Sequence, residues 1–581
     1  MWGGSDADKG GVAGDEPERG EVRAGGENQG RVHERYADAD ARPDGGADGM
    51  EGGGVIEGHR AESGGVPQPA EDGAAVDGHF RVGVDIVPGK GGGGVKGGVG
   101  EGGGLVVKPW GKELQEVDRA GRRHGPRQYT QPDVPTMRPM SSNATELRIL
   151  TLPGGKSELD AMLRRLRLDA ADLALLRGER AAMAQAVAAT IADVAARGDA
   201  AIVEQARRFD DPEFSAENIV VTRDEMAAGH ARVGAELLAA LRHSIRQVRE
   251  YQRHILPGRT KALERPGFSA VHGFSPVDSA GLYFPGGKAS YPSSLIMLAV
   301  PAEVAGVGRI VACTPPSRHF SDAVLAVAHE LKLRELYRVG GVAAIAAMAL
   351  GTETIAPVDK IVGPGNTYVQ LAKRAVSGAV GVDGFLGPSE IVVVADESAD
   401  PATVAADLLA QAEHDPGTCF LLTTSAAVAR NVSAELAKQT QSLPRREAIE
   451  RSLADFSVAV VCPDAGTLFD VANAIACEHV SLRVRDVEGA IGRLRHAGCV
   501  FVGEYSPVAA GDYVAGPSHC LPTNTTARFA GGVSVYEFLK RSSRVTYGPE
   551  GIAADAPHIA ALARAEGLEA HARSAEMRVR R

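Results

Sequence analysis

The sequence predicts an α/β protein made of two doubly wound, mainly parallel sheets, preceded by a long stretch with no means of packing a core. Three observations carry this reading. From about residue 280, short apolar runs alternate with helical stretches of roughly 10–15 residues, the pattern of βαβ units. A second such set begins at Glu390-Ile391-Val392-Val393-Val394-Ala395. Before about residue 105, glycine is crowded among Asp, Glu and Arg, and aliphatic residues are few.

That first stretch, taken as 1–144, shows no sustained period of 2 or 3.6. It cannot bury enough apolar area to offset its ordering entropy, so a disordered extension is expected. Gly98-Val99-Gly100-Glu101-Gly102-Gly103 matches the GxGxxG pattern. A dinucleotide site needs an apolar strand before it and a helix after it, and neither is present. A start at Met137 or Met140 would omit the segment altogether.

Residues 145–265 read as helical. Leu173, Leu176, Ala182, Met183, Val187, Ile191 and Val194 recur at helical spacing within 169–208, with Gly198 as a break, and a second helix spans about 235–251. The first sheet domain, 266–386, then offers strands at 280–284, 309–313, 335–339 and 360–362, separated by helices at 295–305, 321–332 and 342–350. The second, 387–515, offers strands at 390–395, 418–423, 457–461 and 480–484, with helices at 402–414, 425–439 and 465–476. A tail, 516–581, turns helical from about Pro549 and ends in a basic run.

The bulk numbers narrow the function classes. At 581 residues, two or three domains are expected. A hydrophobic fraction of 44% and a mean hydropathy of -0.11 describe a soluble globular chain. No window approaches the ~18–20 apolar residues of a bilayer span, so no membrane partner is expected. A net charge of -11 argues against nucleic acid as the partner. The six cysteines form no CxxC pair, and the chain opens without a signal-peptide pattern, so the expected location is cytoplasmic.

Three Gly-rich turns follow strands: Tyr283 to Gly287, Val339-Gly340-Gly341, and Val362-Gly363-Pro364-Gly365-Asn366. Bare N–H groups at strand ends suit phosphates, although such glycines as often simply turn the chain. Gln411 and His414 lie three apart at a helix end, which is half a zinc site or merely a helix-surface pair. Glu478-His479 could supply two bases acting on different protons. Gly511 to His519 is a Gly-flanked loop carrying Asp512 and His519, and Glu566 to His571 adds another carboxylate and imidazole. Each signal is modest alone.

Together they form a recognisable order. Residues from about Val220 to Arg578 closely resemble the histidinol dehydrogenases. The resemblance rests on Gly281 to Gly287, Gly363-Pro364-Gly365-Asn366, Gly387-Pro388-Ser389-Glu390, Gln411-Ala412-Glu413-His414, Glu478-His479, Gly511 to Pro522, and Glu566 to His571. It implies two Rossmann-like domains and a small dimerising C-terminal region. It implies one zinc per subunit, held by Gln411, His414, Asp512 and His571, as a template for the substrate's imidazole and amino nitrogens. It implies two successive oxidations, L-histidinol to L-histidinal to L-histidine, each passing a hydride to NAD, as the last step of histidine biosynthesis. His479 matches the base that takes the alcohol proton, and Glu478 the base that activates water. Ser389, His519 and Glu566 match substrate contacts beside the zinc ligands and His479, and Tyr283 and Asn366 match NAD contacts. A homodimer with shared sites is implied, in which Glu566 and His571 would serve the other chain.

Three departures stand out. Ala343 replaces a Gln with a role at NAD, which implies lower cofactor affinity or another source for it. Cys477 stands where Pro usually precedes Glu-His; it is not read as a nucleophile, because the two oxidations need none. Val382 to Leu386 also differs from the commonest version. Other readings make distinct predictions. A dehydrogenase of another polyol or amino alcohol would be expected to lack Ser389, His519 or Glu566. A zinc hydrolase using Glu478 on water would leave the Gly-rich turns without purpose. A non-catalytic binding protein would be expected to have lost Glu478, His479 or a ligand.

Overall fold

The computed structural model describes residues 147–580, apart from 167–177, 259–261, 287–290, 318–319, 385 and 415–416. The Gly-rich extension, its GxGxxG stretch, both alternative start methionines, the first residues of the 169–208 helix, Gly287 and Phe385 lie outside the described residues.

The chain begins with β1 (Ile149–Thr151) and α1 (Lys156–Leu166), then α2 (Gly178–Arg197) and α3 (Asp199–Phe209). Gly198 breaks the helix between α2 and α3 at φ +54°, the left-handed region that glycine enters without strain. Helix α4 (Arg223–Arg232) starts from a capping box between Thr222 and Glu225, and α5 (Ala235–Ile255) runs past its expected end. β1 leaves this helical region to pair with a later strand, Ile149 opposite Ala459. Sequence pattern missed it because three residues are too few to show a period.

Next come β2 (Leu263–Arg265) and β3 (Phe268–Pro276). The first parallel sheet follows with β4 (Ser279–Tyr283), α6 (Pro292–Ala305), β5 (Arg309–Thr314), α7 (Asp322–Glu330), β6 (Glu335–Arg338), α8 (Gly341–Leu350), β7 (Lys360–Val362), α9 (Thr367–Val376) and β8 (Gly381–Val382). Its order is β6-β5-β4-β7-β8. One apolar core packs α5, α6 and α7 on one face, and a second packs α2, α3, α8 and α9 on the other. The central strands β4, β5 and β7 are largely buried on both sides, which is why they read as apolar runs.

The second sheet starts with β9 (Glu390–Ala395) and continues through α10 (Pro401–Ala412), β10 (Thr418–Thr423), α11 (Ala426–Thr440), α12 (Arg446–Phe456), β11 (Val458–Val461), α13 (Ala465–Ile475), β12 (His479–Arg483), α14 (Val487–Arg493), β13 (Cys499–Val502) and α15 (Val508–Tyr513). The order is β1-β11-β10-β9-β12-β13. Side chains alternate across it: Ile391 and Val393 enter the core under α10 and α11, while Val392 and Val394 enter the core under α1 and α13. Helix α10 stops at Ala412, so His414 sits in the following turn and not on the helix. The expected loop at 511–519 instead opens with α15, which holds Asp512.

The tail supplies β14 (Leu539–Tyr547), α16 (Pro549–Ala565) and α17 (Glu569–Val579). β14 runs antiparallel to β3 over nine pairs, in a sheet ordered β14-β3-β2. Helices α16 and α17 form a hairpin with a small alanine core of Ala560, Ala563 and Ala572. Among the described residues no helix is long and apolar enough to cross a membrane.

Candidate active site

Both parallel sheets reverse their strand order, and each reversal opens a crevice. In the first sheet it falls between β4 and β7. There the three Gly-rich turns meet. A Cβ on Gly363, whose φ is +126°, would lie 1.9 Å from the Tyr283 carbonyl oxygen, and one on Gly340 would lie 3.0 Å from Pro315. These glycines let three loops close on one carboxyl edge, beside the start of α9. The Gly363 turn is tied down from below. Its N–H donates to Asp383 Oδ2 at 2.6 Å, and the buried Lys373 pairs with Asp383 and donates to Gly363 O at 2.9 Å.

Tyr283 points into the core, 4% exposed, and its hydroxyl accepts from Gly341 N–H at 3.2 Å. Burial pushes the phenol up to about 12. Asn366 is exposed and caps α9, its Oδ1 accepting from Val369 N–H at 3.2 Å. Ala343 is packed in the core on the second turn-helix junction.

In the second sheet the reactive groups gather at the amino edge, opposite to the edge where such crevices usually bind ligands. Glu390 and His479 are the first residues of β9 and β12, the strands that flank the reversal. A chain of only seven residues, 383–389, links the carboxyl edge of the first sheet to this amino edge. It is laced to both. Gly365 N–H donates to Leu386 O at 3.4 Å and Gln370 Nε2 donates to Leu386 O at 2.8 Å, while Gly387 N–H donates to Thr523 Oγ1 at 2.7 Å. A short stretch of chain, tied to the Gly363 turn at one end, therefore leads straight to Ser389 and Glu390.

Glu478 is buried, and its Oε2 accepts from Ser389 Oγ at 2.6 Å and Glu390 N–H at 2.8 Å. Burial pushes its carboxyl well above the usual range, and the charges of Glu390 and Asp512 add to the rise. His479 Nδ1 lies 3.1 Å from the Glu390 carbonyl. A carbonyl only accepts, so Nδ1 carries the hydrogen and Nε2 keeps its lone pair free. Burial holds this imidazole neutral, down to about 3, so its 3.5 Å approach to Glu478 is no ion pair. Cys477 is also buried, and burial pushes its thiol far up. Ala476, at φ +50°, ends α13 in a left-handed turn just before these residues.

Gln411 is 3% exposed, and its amide Nε2 is buried with no hydrogen-bond partner. His414 and Asp512 lie close enough for each charge to move the other's titration: the protein around His414 lowers it, Asp512 raising it back, and burial raises Asp512, His414 pulling it down. Asp512 also offers its carbonyl to His519 Nδ1 at 2.9 Å, so Ser294 Oγ donates to His519 Nε2 at 3.0 Å. Thus Ser389, Gln411, His414, Glu478, His479, Asp512 and His519 share one region. Glu566 and His571 do not join it; both are exposed on the α16–α17 hairpin. Among the described residues, no three His, Cys, Asp or Glu side chains come together to hold a metal. Sequence reading passed over the buried Asp407 and Arg483 nearby, although a lone Arg inside the apolar run Val480 to Val484 was a usable signal.

Residues 177–579 match the family model described as histidinol dehydrogenase. The chain is 46% identical over 398 residues to the histidinol dehydrogenase of Bacillus subtilis (strain 168), covering 68% of this chain and 93% of that one. It is 43% identical over 414 residues to that of Gluconobacter oxydans (strain 621H), covering 71% and 96%. The crystal structure of histidinol dehydrogenase from Elizabethkingia anophelis superposes with a TM-score of 0.70 at 31% identity, covering 76% of this chain and 99% of that one.

Proposed function

This chain belongs to the histidinol dehydrogenase family, an oxidoreductase of histidine biosynthesis, and we propose that it works with NAD and one zinc ion per subunit. The observation that carries the reading is the pair of bases at one buried edge, Glu478 held by Ser389 and Glu390, and His479 with Nε2 left free.

The residues fit the metal. The buried Gln411, whose amide oxygen would be its ligating atom, the mutually interacting His414 and Asp512, and the carboxyl end of α10 make a site that favours a cation. The fourth donor, His571, would come from the α16–α17 hairpin of a second copy in a homodimer, together with Glu566 for the substrate's amine. When bound, zinc would orient the substrate's nitrogens, and NAD at the β4–β7 crevice would accept the hydride of each oxidation. His479 Nε2 takes the alcohol proton in the first oxidation. Glu478, once ionised, is a strong base because its pKa is raised, and it takes the proton of the water that attacks the aldehyde. Its dry surroundings keep other water away. Tyr283 would serve NAD through the turn it fixes at Gly341, and Asn366 directly. The domains that follow are 266–386 for the cofactor, 387–515 for the bases and zinc, and 516–581 for dimerisation. A cytoplasmic location fits free cysteines throughout.

The test is NADH formation from L-histidinol by the full chain, with and without a zinc chelator. Two NADH per L-histidinol, lost on chelation and restored by zinc, is expected. Turnover insensitive to chelation would remove the zinc, and turnover without NAD would remove the cofactor.

A further inference from the structure

Beneath the site lies a buried ion pair that no step of the reaction uses. Arg483 Nη2 donates to Asp407 Oδ2 at 2.6 Å, and both residues are 5% exposed. The pair is almost fully satisfied. Arg483 Nε donates to Ser481 Oγ at 3.0 Å, Nη2 to Ser506 O at 3.1 Å, and Nη1 to Gly503 O. Ser481 Oγ donates to Asp407 Oδ2 at 3.3 Å, and Val508 N–H donates to Asp407 Oδ1 at 3.4 Å. Asp407 belongs to α10, Ser481 and Arg483 to β12, and Val508 is the first residue of α15.

Each of these elements presents a site residue a fixed step away. Gln411 is four residues beyond Asp407 on the same helix face, a rise of about 6 Å. Asp512 is four beyond Val508, again about 6 Å along its helix. His479 is two before Ser481 on the same face of β12, about 6.6 Å along the strand. Val480 and Leu482 point to the opposite core, so His479, Ser481 and Arg483 all face α10. One buried contact therefore sets three elements in register, and the base and two zinc-ligand positions emerge at a common level above it.

We propose that Asp407 and Arg483 are positioning residues, whose ion pair sets the register of Gln411, Asp512 and His479 and so shapes the zinc and substrate site. This rests on the zinc reading above. Stability alone is a poor reason for such a pair, since well-packed apolar residues of similar volume often replace one without loss. Fixing which residue of one element lies opposite which residue of another is what it does here.

The test follows from that contrast. The double variant D407L/R483M, in the full chain loaded with zinc, is expected to keep its thermal midpoint within a few degrees. Its zinc affinity, measured by competition with a chromogenic chelator, should fall about 10–100-fold. kcat/KM for L-histidinol should fall at least about tenfold while KM for NAD stays within about twofold. A folded double variant with wild-type zinc affinity and kcat/KM overturns the proposal. If the double variant does not fold, D407N decides on the same readouts, with a smaller loss expected and an unchanged value fatal. Wild-type protein that binds no zinc overturns the metal reading alone, and kcat/KM against KM for NAD then decides the register.

Discussion

Glu390 does more at the site than its place in the Gly387-Pro388-Ser389-Glu390 motif reveals. Its N–H holds Glu478, its carbonyl holds His479, and its Oε1 accepts from Asn524 N–H at 3.1 Å. Asn524 and Thr525 both adopt left-handed backbone, φ +54° and +66°, so the carboxyl pins a strained turn against the start of β9. Its other oxygen is buried without a partner, and burial pushes the carboxyl from 4.5 up to about 7. A raised folded pKa means that the folded state holds the proton more tightly. The stability this contributes is fully present below the unfolded pKa and is lost as pH rises through about 7. The shift corresponds to at most about 3 kcal/mol. Between pH 4.5 and 8, wild-type protein should lose about that much more unfolding free energy than E390Q, measured by denaturant titration at each pH. Parallel curves for the two proteins would show that Glu390 does not titrate in this window.

Among the elements, the turns at the first sheet's carboxyl edge separate two kinds of glycine. Gly363 is at φ +126° with the Tyr283 carbonyl where a Cβ would go, so any side chain must push β4 and β7 apart. Gly341 is at φ +57° with open space around its Cβ position, where only the left-handed backbone is strained. G363A should therefore destabilise by about 3 kcal/mol or more, and G341A by about 1 kcal/mol, read as shifts in urea midpoint. G363A should also raise KM for NAD more than KM for L-histidinol, because the turn it distorts lies at the proposed cofactor crevice. Equal stability losses would mean that the β4–β7 edge yields more easily than its contacts imply. At this scale the sequence was readable wherever a strand is buried on both faces. β1 and β8 are only three and two residues long and the exposed β14 has no apolar run, so these look like loop, whereas β13, Cys499-Val500-Phe501-Val502, is an apolar run that the reading passed over.

For the molecule, the separation of the α16–α17 hairpin from the rest of the site makes the proposed homodimer testable without a complex structure. Co-expressed H479A and H571A chains, each inactive alone, should form mixed dimers in which one of the two sites has every group intact. Random pairing makes half the dimers mixed, each with one working site, so activity should recover to about one quarter of wild type. No recovery would place Glu566 and His571 in the site of their own chain.

The sequence by itself determined the family and the α/β class, and it named the candidate reactive groups. Motif residues such as Gln411, Glu478-His479 and Asp512 are local strings, and buried parallel strands write themselves as apolar runs. Tertiary structure alone decided that the bases sit at the amino edge of their sheet, that Nε2 of His479 is its free nitrogen, and that Tyr283 faces inward. It also decided that Arg483 pairs with Asp407 and that Glu390 holds both Glu478 and His479. The reason is physical: the hydrogen bonds that set a tautomer, a buried charge's partner or a register join residues 74 to 134 positions apart, such as Ser481 with Asp407 and Asn524 with Glu390. No local pattern encodes which of them will meet.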